Sequence, residues 1–415
     1  MKSLILSTFD TSGGAARACY RLHQGLKSLD TDSQMLVQQK SSDDQTVISP
    51  QTRLQEGLAR ARITFDLLPL KLYPKRQSKS FSLQWLPENI SQKVKKIDPD
   101  IINLHWINQA FVQIETLAKF KKPIVWTLHD MWAFTGGCHY NEECVAYKQS
   151  CGSCPQLNSS KASDLSHWVW QRKAKAWENL NLTVVTPSTW LAKCAQASSL
   201  FGNKSISVIP YGLDLDVYRP IDPKKCRDLL GLPQDKKLLL FTSLKATSDK
   251  RKGLHLLQLA LEKFKQTDPK KDLELVVVGA SFDANAPDFK FKTHYLGTLN
   301  DDLTLALTYS AVDAFIAPSV QDNLPNTVLE ALACGTPCIA FKIGGMPDMI
   351  EHQNNGYLAN SYQIEDLALG ISWVLENPQR YLKLSDNARK KAEQEFALKL
   401  QATRYLDLFS NIVTG

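Results

Sequence analysis

Short, strand-like apolar runs alternate with longer stretches of helical period along most of the chain. In the first half the runs are Leu4–Ser7, Met35–Gln38, Ile101–Leu104, Ile124–Leu128 and Thr183–Thr186. In the second they are Lys237–Thr242, Leu273–Val278, Ala314–Ala317 and Pro337–Phe341. Most are continuously apolar rather than alternating, which marks parallel strands buried on both faces. Strand and helix alternating through both halves predict an α/β protein of two doubly wound, Rossmann-like domains. The break is expected within Ser207–Pro220, where Pro210, Gly212 and Pro220 interrupt the chain and no helical period crosses. That gives an N-terminal domain over 1–207, a second over 208–385, and a C-terminal helical segment, 386–415, that packs back on the first. A long charged helix, Pro378–Glu395, leads into it. Two such domains are expected to face each other across a cleft. Ligands of open parallel sheets sit beyond the carboxyl ends of the strands, so the loops after strands are where chemistry is expected.

Composition narrows the class. A chain of 415 residues with 43% hydrophobic content can bury two cores. No apolar run reaches the roughly 18 residues that a membrane span needs. The N-terminal MKSLILSTFDTSGG turns polar too soon for an export leader and reads as a buried first strand. A net charge of +7 is a mild excess that does not suggest nucleic acid. Its distribution says more. From Arg53 to Lys96 the cations Arg60, Arg62, Lys71, Lys75, Arg76, Lys79, Lys93 and Lys95 meet only Glu56, Asp66 and Glu88, with Ile63, Phe65, Leu67, Leu68 and Leu70 interleaved. Such a segment either lies on an anionic membrane surface or packs its apolar side on its own domain. Nine cysteines without an export signal imply reduced thiols and a cytoplasmic protein, at the inner membrane surface if the basic segment touches lipid.

Several loops after strands carry candidate chemistry. Gly13-Gly14 follows the first strand and opens a helix, allowing backbone to approach an anion at a helix N-terminus. His105-Trp106 and His129-Asp130-Met131-Trp132 follow two further strands. A histidine can hydrogen-bond sugar hydroxyls and an indole can stack on a sugar face, while His129 satisfied by Asp130 is the plain alternative. Lys250-Arg251-Lys252-Gly253 places three cations at a helix start, unfavourable for the helix dipole unless an anion binds there. Thr327-x-x-Glu330 has the form of a capping box, with Glu330 reaching back to the Thr327 N–H. That accounts for Glu330 but not for Asp322 or the Asn323-Leu324-Pro325-Asn326 loop.

The spacing Asp322-x7-Glu330 resembles the E-x7-E signature of family 4 glycosyltransferases, retaining enzymes of the two-domain GT-B fold. Ala317-Pro318-Ser319, Leu329 to Pro337, Gly344 to Asp348, Tyr211 to Asp214 and Arg251-Lys252-Gly253 agree with it. The resemblance covers nearly the whole chain and extends to bacterial exopolysaccharide enzymes of the heterocyst-envelope type. It implies transfer of a hexose from a nucleotide-diphosphate donor, UDP-glucose as the guess, to a glycan or lipid-linked sugar acceptor without a catalytic metal. Lys252 is then expected on the donor diphosphate with Arg251 or Lys250 in place of the usual arginine, Glu330 on the ribose, and Asp322, Asn323, Leu324, Asn326 and Thr327 around the donor sugar. His129 is expected near the transferred sugar, Gly13 and Gly14 near the phosphate, Leu296 near the base, and His105, Trp106 and Trp132 on the acceptor. The first acid is Asp rather than Glu, the usual Gly-Arg reads Thr242-Ser243, and the donor-loop glycines are Leu324 and Pro325. A sugar-nucleotide epimerase of the same architecture and a non-catalytic sugar-nucleotide-binding protein are the rival classes.

Four cysteines cluster in GGCHYNEECVAYKQSCGSCP: Cys138, Cys144, Cys151 and Cys154. The Cys151-x2-Cys154 spacing suits structural zinc, and four thiolates complete a tetrahedron. Unligated reduced thiols are the alternative.

Overall fold

The computed structural model describes residues 1–414 except 51, 78, 243–248, 268–271 and 280–287. It divides into two compact units. The first comprises Met1–Gly212 with Lys399–Gly415, the second Leu213–Leu398.

The first unit holds a seven-stranded sheet: β1 (Lys2–Phe9), β2 (Asp32–Gln39), β3 (Val47–Ile48), β4 (Ile101–Leu104), β5 (Ile124–Thr127), β6 (Leu182–Thr186) and β7 (Ser205–Val208). Its order is β3-β2-β1-β4-β5-β6-β7, and every pairing is parallel. The second unit holds a six-stranded sheet: β8 (Lys237–Thr242), β9 (Leu273–Val278), β10 (Thr293–Tyr295), β11 (Ala314–Ala317), β12 (Cys338–Phe341) and β13 (Gly356–Ala359). Its order is β10-β9-β8-β11-β12-β13, again all parallel. In each sheet the chain winds one way and then reverses, at β1/β4 and at β8/β11. These are the switch points where ligands of doubly wound sheets bind.

The central strands β4, β5, β9, β11 and β12 are buried along their whole length. Helices covering both faces of a sheet leave its middle no wet side, so these strands are continuously apolar. Each fully buried Leu, Ile or Val contributes about 1.5–3 kcal/mol of transfer free energy. The segment 386–415 is two helices rather than one. Pro378–Glu395 buries Leu384, Ala388 and Ala392 within the second unit. Leu398–Thr414 buries Ala402, Tyr405 and Phe409 among Ile5, Val125 and Val185 of the first sheet. The Tyr405 hydroxyl lies 2.8 Å from Thr127 Oγ1, so the last helix is bonded as well as packed. No helix among the described residues is long and apolar enough to cross a membrane.

Candidate active site

In the first unit the loops after β4 and β5 bring His105 and His129 together. His105 Nδ1 is 2.9 Å from His129 Nε2, His105 Nε2 is 2.8 Å from Asn103 Oδ1, and His129 Nδ1 is 2.6 Å from the Tyr211 hydroxyl. The proton positions follow from Asn103. Its amide nitrogen donates to the Val125 carbonyl and to Thr127 Oγ1, both at 3.1 Å, so Oδ1 faces His105 as an acceptor. His105 therefore carries its proton on Nε2 and accepts through Nδ1 from His129 Nε2–H, and His129 Nδ1 accepts from Tyr211. This assignment requires both rings neutral. Burial provides that, driving His105 well below its ordinary value and His129 down to about 4 although Asp130 opposes the shift.

Asp130 is not bonded to His129. Its carboxylate accepts from Trp106 Nε1 at 2.9 Å and from the Trp132 amide at 2.8 Å, and lies 2.6 Å from His139 Nδ1. Trp106 is half-buried and keeps a face near Phe9. Trp132 does not keep the acceptor role expected of it. It is 2% exposed, donates its indole N–H to the Ser82 carbonyl, and has Lys173 Nζ 3.6 Å over its ring. An enclosed ring in that position is part of the core. Gly13 has φ +93° and caps the helix Gly14–Lys27. A Cβ there would meet nothing within 4 Å, so glycine is demanded by the backbone alone and space lies open before it.

In the second unit three loops converge at the β8/β11 switch. The turn after β8 is a 3₁₀ segment, Lys250–Lys252, that ends at Gly253 in the left-handed region. A Cβ on Gly253 would come within 1.8 Å of the Pro318 carbonyl oxygen, so only glycine lets this turn lie against the loop after β11. That loop presents Asp322, 6% exposed. Lys252 Nζ donates to Asp322 Oδ2 at 2.7 Å, and Arg251 Nη1 lies 3.5 Å from the same oxygen. Arg251 is held by Asp249 at 3.0 Å and by the Gln321 carbonyl at 3.0 Å. Burial would raise the Asp322 carboxyl, but Lys252 and then Arg251 outweigh it and hold it below its ordinary value. The loop after β12 closes the back: Gly345 N–H donates to the Asp322 carbonyl at 3.2 Å, while Gly344 at φ +52° has that oxygen 1.9 Å from where a Cβ would be.

The capping box does not form. The helix runs Asn326–Ala333 with Pro325 at its N-cap and no side-chain cap. Starting two residues earlier than that box requires puts Thr327 inside the helix and turns Glu330 to the interior. There its carboxylate accepts from the Tyr309 hydroxyl at 3.1 Å. Asn323 and Leu324 are buried, Asn326 and Thr327 half-buried. Leu296, half-buried, follows β10 and is tied to β9 through the Val277 carbonyl at 3.0 Å. Of the Thr242-Ser243 pair, Ser243 lies outside the described residues. Cys138, Cys144, Cys151 and Cys154 line one cavity of about 20 Å³, but no group of three or more His, Cys, Asp or Glu among the described residues is disposed to hold a metal ion.

Asn103, Tyr211 and Tyr309 are partners that sequence reasoning did not assign. Asn103 left a signal, a polar residue in the middle of the buried run IINL. The tyrosines left none, since their partners are distant in sequence.

Two all-parallel, doubly wound units with loops gathered at their switch points define the GT-B architecture of glycosyltransferases. Residues 12–217 match the model described as Glycosyltransferase Family 4, and residues 225–391 match Glycosyl transferases group 1; the chain belongs to this group 1, family 4 class. Among curated relatives, D-inositol 3-phosphate glycosyltransferase 2 of Catenulispora acidiphila is 28% identical over 50% of this chain and 51% of its own length. The putative colanic acid biosynthesis glycosyl transferase WcaC of Escherichia coli is 26% identical over 58% of this chain and 60% of its own. The chain thus spans between about half and three fifths of the length of these relatives. Among solved structures, sucrose-phosphate synthase of Thermosynechococcus elongatus superposes with TM-score 0.71 at 17% identity, covering 100% of both chains. Anabaena HepE in complex with UDP and glucose superposes at 0.64 and 18% identity over 99% of each. At these identities the structures speak for the fold.

Proposed function

We propose that this protein is a retaining glycosyltransferase. It moves a hexose from a nucleotide-diphosphate donor, UDP-glucose by first choice, to a hydroxyl acceptor in polysaccharide synthesis. The observation that carries the reading is the Lys252–Arg251–Asp322 cluster at the β8/β11 switch. Lys252 and Arg251 meet at the buried Asp322 carboxylate, with Asp249 on the far side of Arg251, and both cations keep solvent-facing surface on which a diphosphate can replace a carboxylate partner. Anabaena HepE, solved with UDP and glucose, and the putative colanic acid enzyme favour the same donor class and a polysaccharide product.

As the bond from the anomeric carbon to the diphosphate breaks, negative charge grows on the departing oxygen. Lys252, Arg251 and the amides at the start of Asn326–Ala333 neutralise it, in this reading without a divalent metal. Asp322 turns from Lys252 toward the sugar hydroxyls once the diphosphate takes over the ammonium. Glu330 accepts from the ribose. The acceptor hydroxyl attacks the face the diphosphate leaves, and its proton passes to the departing diphosphate oxygen, which keeps the anomeric configuration. The first unit is assigned the acceptor. For His129 to meet a sugar hydroxyl it exchanges one of its two ring partners.

The test is a panel of nucleotide sugars against the purified protein, read by thermal shift and then by NMR of the products with glycan acceptors. A ligand at a hundred times its Kd adds about 2.7 kcal/mol. Stabilisation by UDP-sugars and a new glycosidic bond of unchanged anomeric configuration are expected. An inverted sugar centre with no new bond would identify an epimerase instead.

A further inference from the structure

The helix Arg53–Asp66 leaves its larger apolar side chains outward. Its inward side is mixed, with Ala59 buried and Ile63 half-buried beside polar anchors. The Ala59 carbonyl accepts from Gln38 Nε2 at 3.2 Å, and the Arg62 guanidinium donates to the carbonyls of Pro87 at 2.6 Å and Ala110 at 3.2 Å. The buried Asp66 carboxylate accepts from the amides of Gln84 at 3.2 Å and Trp85 at 3.1 Å. At about 100° per residue, Leu54, Leu58 and Phe65 fall on one stripe away from these groups. They are 75%, 57% and 53% exposed, and Leu72 in the following turn is 79% exposed. Packing on the domain takes Ala59, Leu70 and part of Ile63, and leaves Leu54, Leu58 and Phe65 outside it.

Under the helix lies a pocket of about 450 Å³ at the carboxyl end of β2, a volume suited to a small ligand. Leu58, Ala59 and Phe111 supply apolar wall, and Gln38 a polar point. Gln38 is 6% exposed. Its Nε2 is committed to the Ala59 carbonyl, which fixes the amide orientation, and Oε1 has no donor among the described residues. A buried acceptor without a donor is costly, and a ligand hydroxyl supplies one. Pocket and stripe share the helix, and Leu58 belongs to both.

We propose that this pocket takes the hydroxyl-bearing head of a lipid-carried acceptor while Leu54, Leu58, Phe65 and Leu72 rest in the headgroup–acyl boundary of an anionic bilayer. The exposed cations Lys71 and Lys75 lie beside Leu72 in the turn that continues the stripe, while Arg60 and Glu56 sit on the other side of the helix. The two lysines are complementary to anionic headgroups, and they would repel the same surface of a second copy. The acceptor role rests on the transferase reading above. The surface and the pocket stand on their own geometry.

Flotation with vesicles of phosphatidylcholine, with and without phosphatidylglycerol, reads the surface. The wild type floats with the anionic vesicles, and the triple variant L54E/L58E/F65E, altered at exposed positions alone, binds at least about tenfold less. A wild type that stays unbound, or a triple variant that floats equally, overturns the surface. Isothermal titration with octyl glucoside below its critical micelle concentration reads the pocket. Saturable binding is expected, weakened about tenfold in Gln38→Leu. Leu58→Trp, at an exposed position that tolerates bulk, narrows the same pocket and weakens binding without touching Gln38. No saturable binding by the wild type, or undiminished binding by both variants, overturns the pocket. Nucleotide-sugar stabilisation of the wild type is measured alongside. A protein so stabilised that neither floats nor binds glycoside overturns this inference alone. One that floats and binds glycoside but gains nothing from any nucleotide sugar supports the surface and pocket and overturns the transferase reading.

Discussion

In the first unit the buried polar residues Asn103, His105, His129 and Tyr211 form a chain in which each ring nitrogen already has a partner and each histidine is neutral. In the second, Asp322 faces Lys252 and Arg251 as full charges, and both cations keep part of their surface in solvent. Both clusters sit on loops at the carboxyl ends of similar parallel sheets. The difference lies in what a ligand would meet. The neutral chain resists charge because burial penalises it. The ion cluster can take up charge, since Lys252 and Arg251 are part-exposed and can exchange the carboxylates of Asp322 and Asp249 for an anionic ligand.

The largest expected effect tests the second cluster. Lys252→Ala removes the ammonium that neutralises the departing diphosphate and leaves Asp322 buried with Arg251 alone. Transfer should fall about a thousandfold, roughly 4 kcal/mol of barrier, measured as nucleotide release in the presence of acceptor. A loss within tenfold would mean the cluster is structural, and the contrast with the first unit would lose its functional meaning.

Acid should separate the two units next. His129 has a folded value of about 4 against about 6.5 unfolded. A depressed histidine means the unfolded chain binds the extra proton first, so stability is complete above about pH 6.5 and is lost as pH falls toward 4. One such group amounts to about 3 kcal/mol over that window, with His105 titrating as part of the same pair. Asp322 runs on a lower scale. Its folded value lies below 3.8, so its contribution is complete above the unfolded value and disappears only at more acid pH. Of the nine tryptophans all but Trp373 lie in the first unit, so tryptophan fluorescence reports that unit. Urea midpoints by fluorescence should drop between pH 7 and pH 5. Equal midpoints would mean His129 titrates normally and the neutral chain is not as described.

What could be read in advance divides along physical lines. The strands found from sequence are the central ones, whose burial on both faces leaves continuous apolar runs. The four that were not found, β3, β7, β10 and β13, are the edges of the two sheets. β3 is two residues long, β7 and β10 carry half-wet residues such as Ser205 and Thr293, and β13 begins with glycine. Residues of the ion cluster were legible because a cationic triplet and an isolated acid at loop positions are unfavourable without a partner. The Glu330–Tyr309 bond and the Tyr211 end of the histidine chain were not, because local spacing supplied a plausible cap for Glu330 and the real partners come from other elements.

A smaller effect probes how tightly the ion cluster is held. Gly344→Ala requires a side chain at φ +52°, which costs about 1–2 kcal/mol, and places its Cβ 1.9 Å from the Asp322 carbonyl oxygen. The loop must shift, so a stability loss of about 2 kcal/mol or more should accompany reduced transfer. Gly13→Ala is the matching probe of the first unit. Its φ is +93° but its Cβ would meet nothing within 4 Å, so backbone strain alone is expected. Equal losses in the two variants would show that the close approach at Asp322 does not matter.

The smallest effect bears on the direction of the histidine chain. Tyr211→Phe removes the hydroxyl that donates to His129 Nδ1, a net loss of about 1 kcal/mol. Asn103→Leu removes the acceptor that orients His105 and leaves a buried N–H, about 1–3 kcal/mol. The two should also differ in their response to pH. Without the Tyr211 donor, Nδ1 of His129 takes a proton more readily and its folded value moves up toward 6.5. The interval over which acid destabilises then narrows from below, and the difference between urea midpoints at pH 7 and pH 5 shrinks. Asn103→Leu changes no donor to His129 directly, so it lowers both midpoints and leaves their separation nearly intact. If instead Tyr211→Phe keeps the full pH 7 to pH 5 separation, the proton between Tyr211 and His129 sits on the imidazole. The chain would then run in the opposite sense, with His129 Nδ1–H donating to the tyrosine oxygen and Asn103 no longer setting the tautomers.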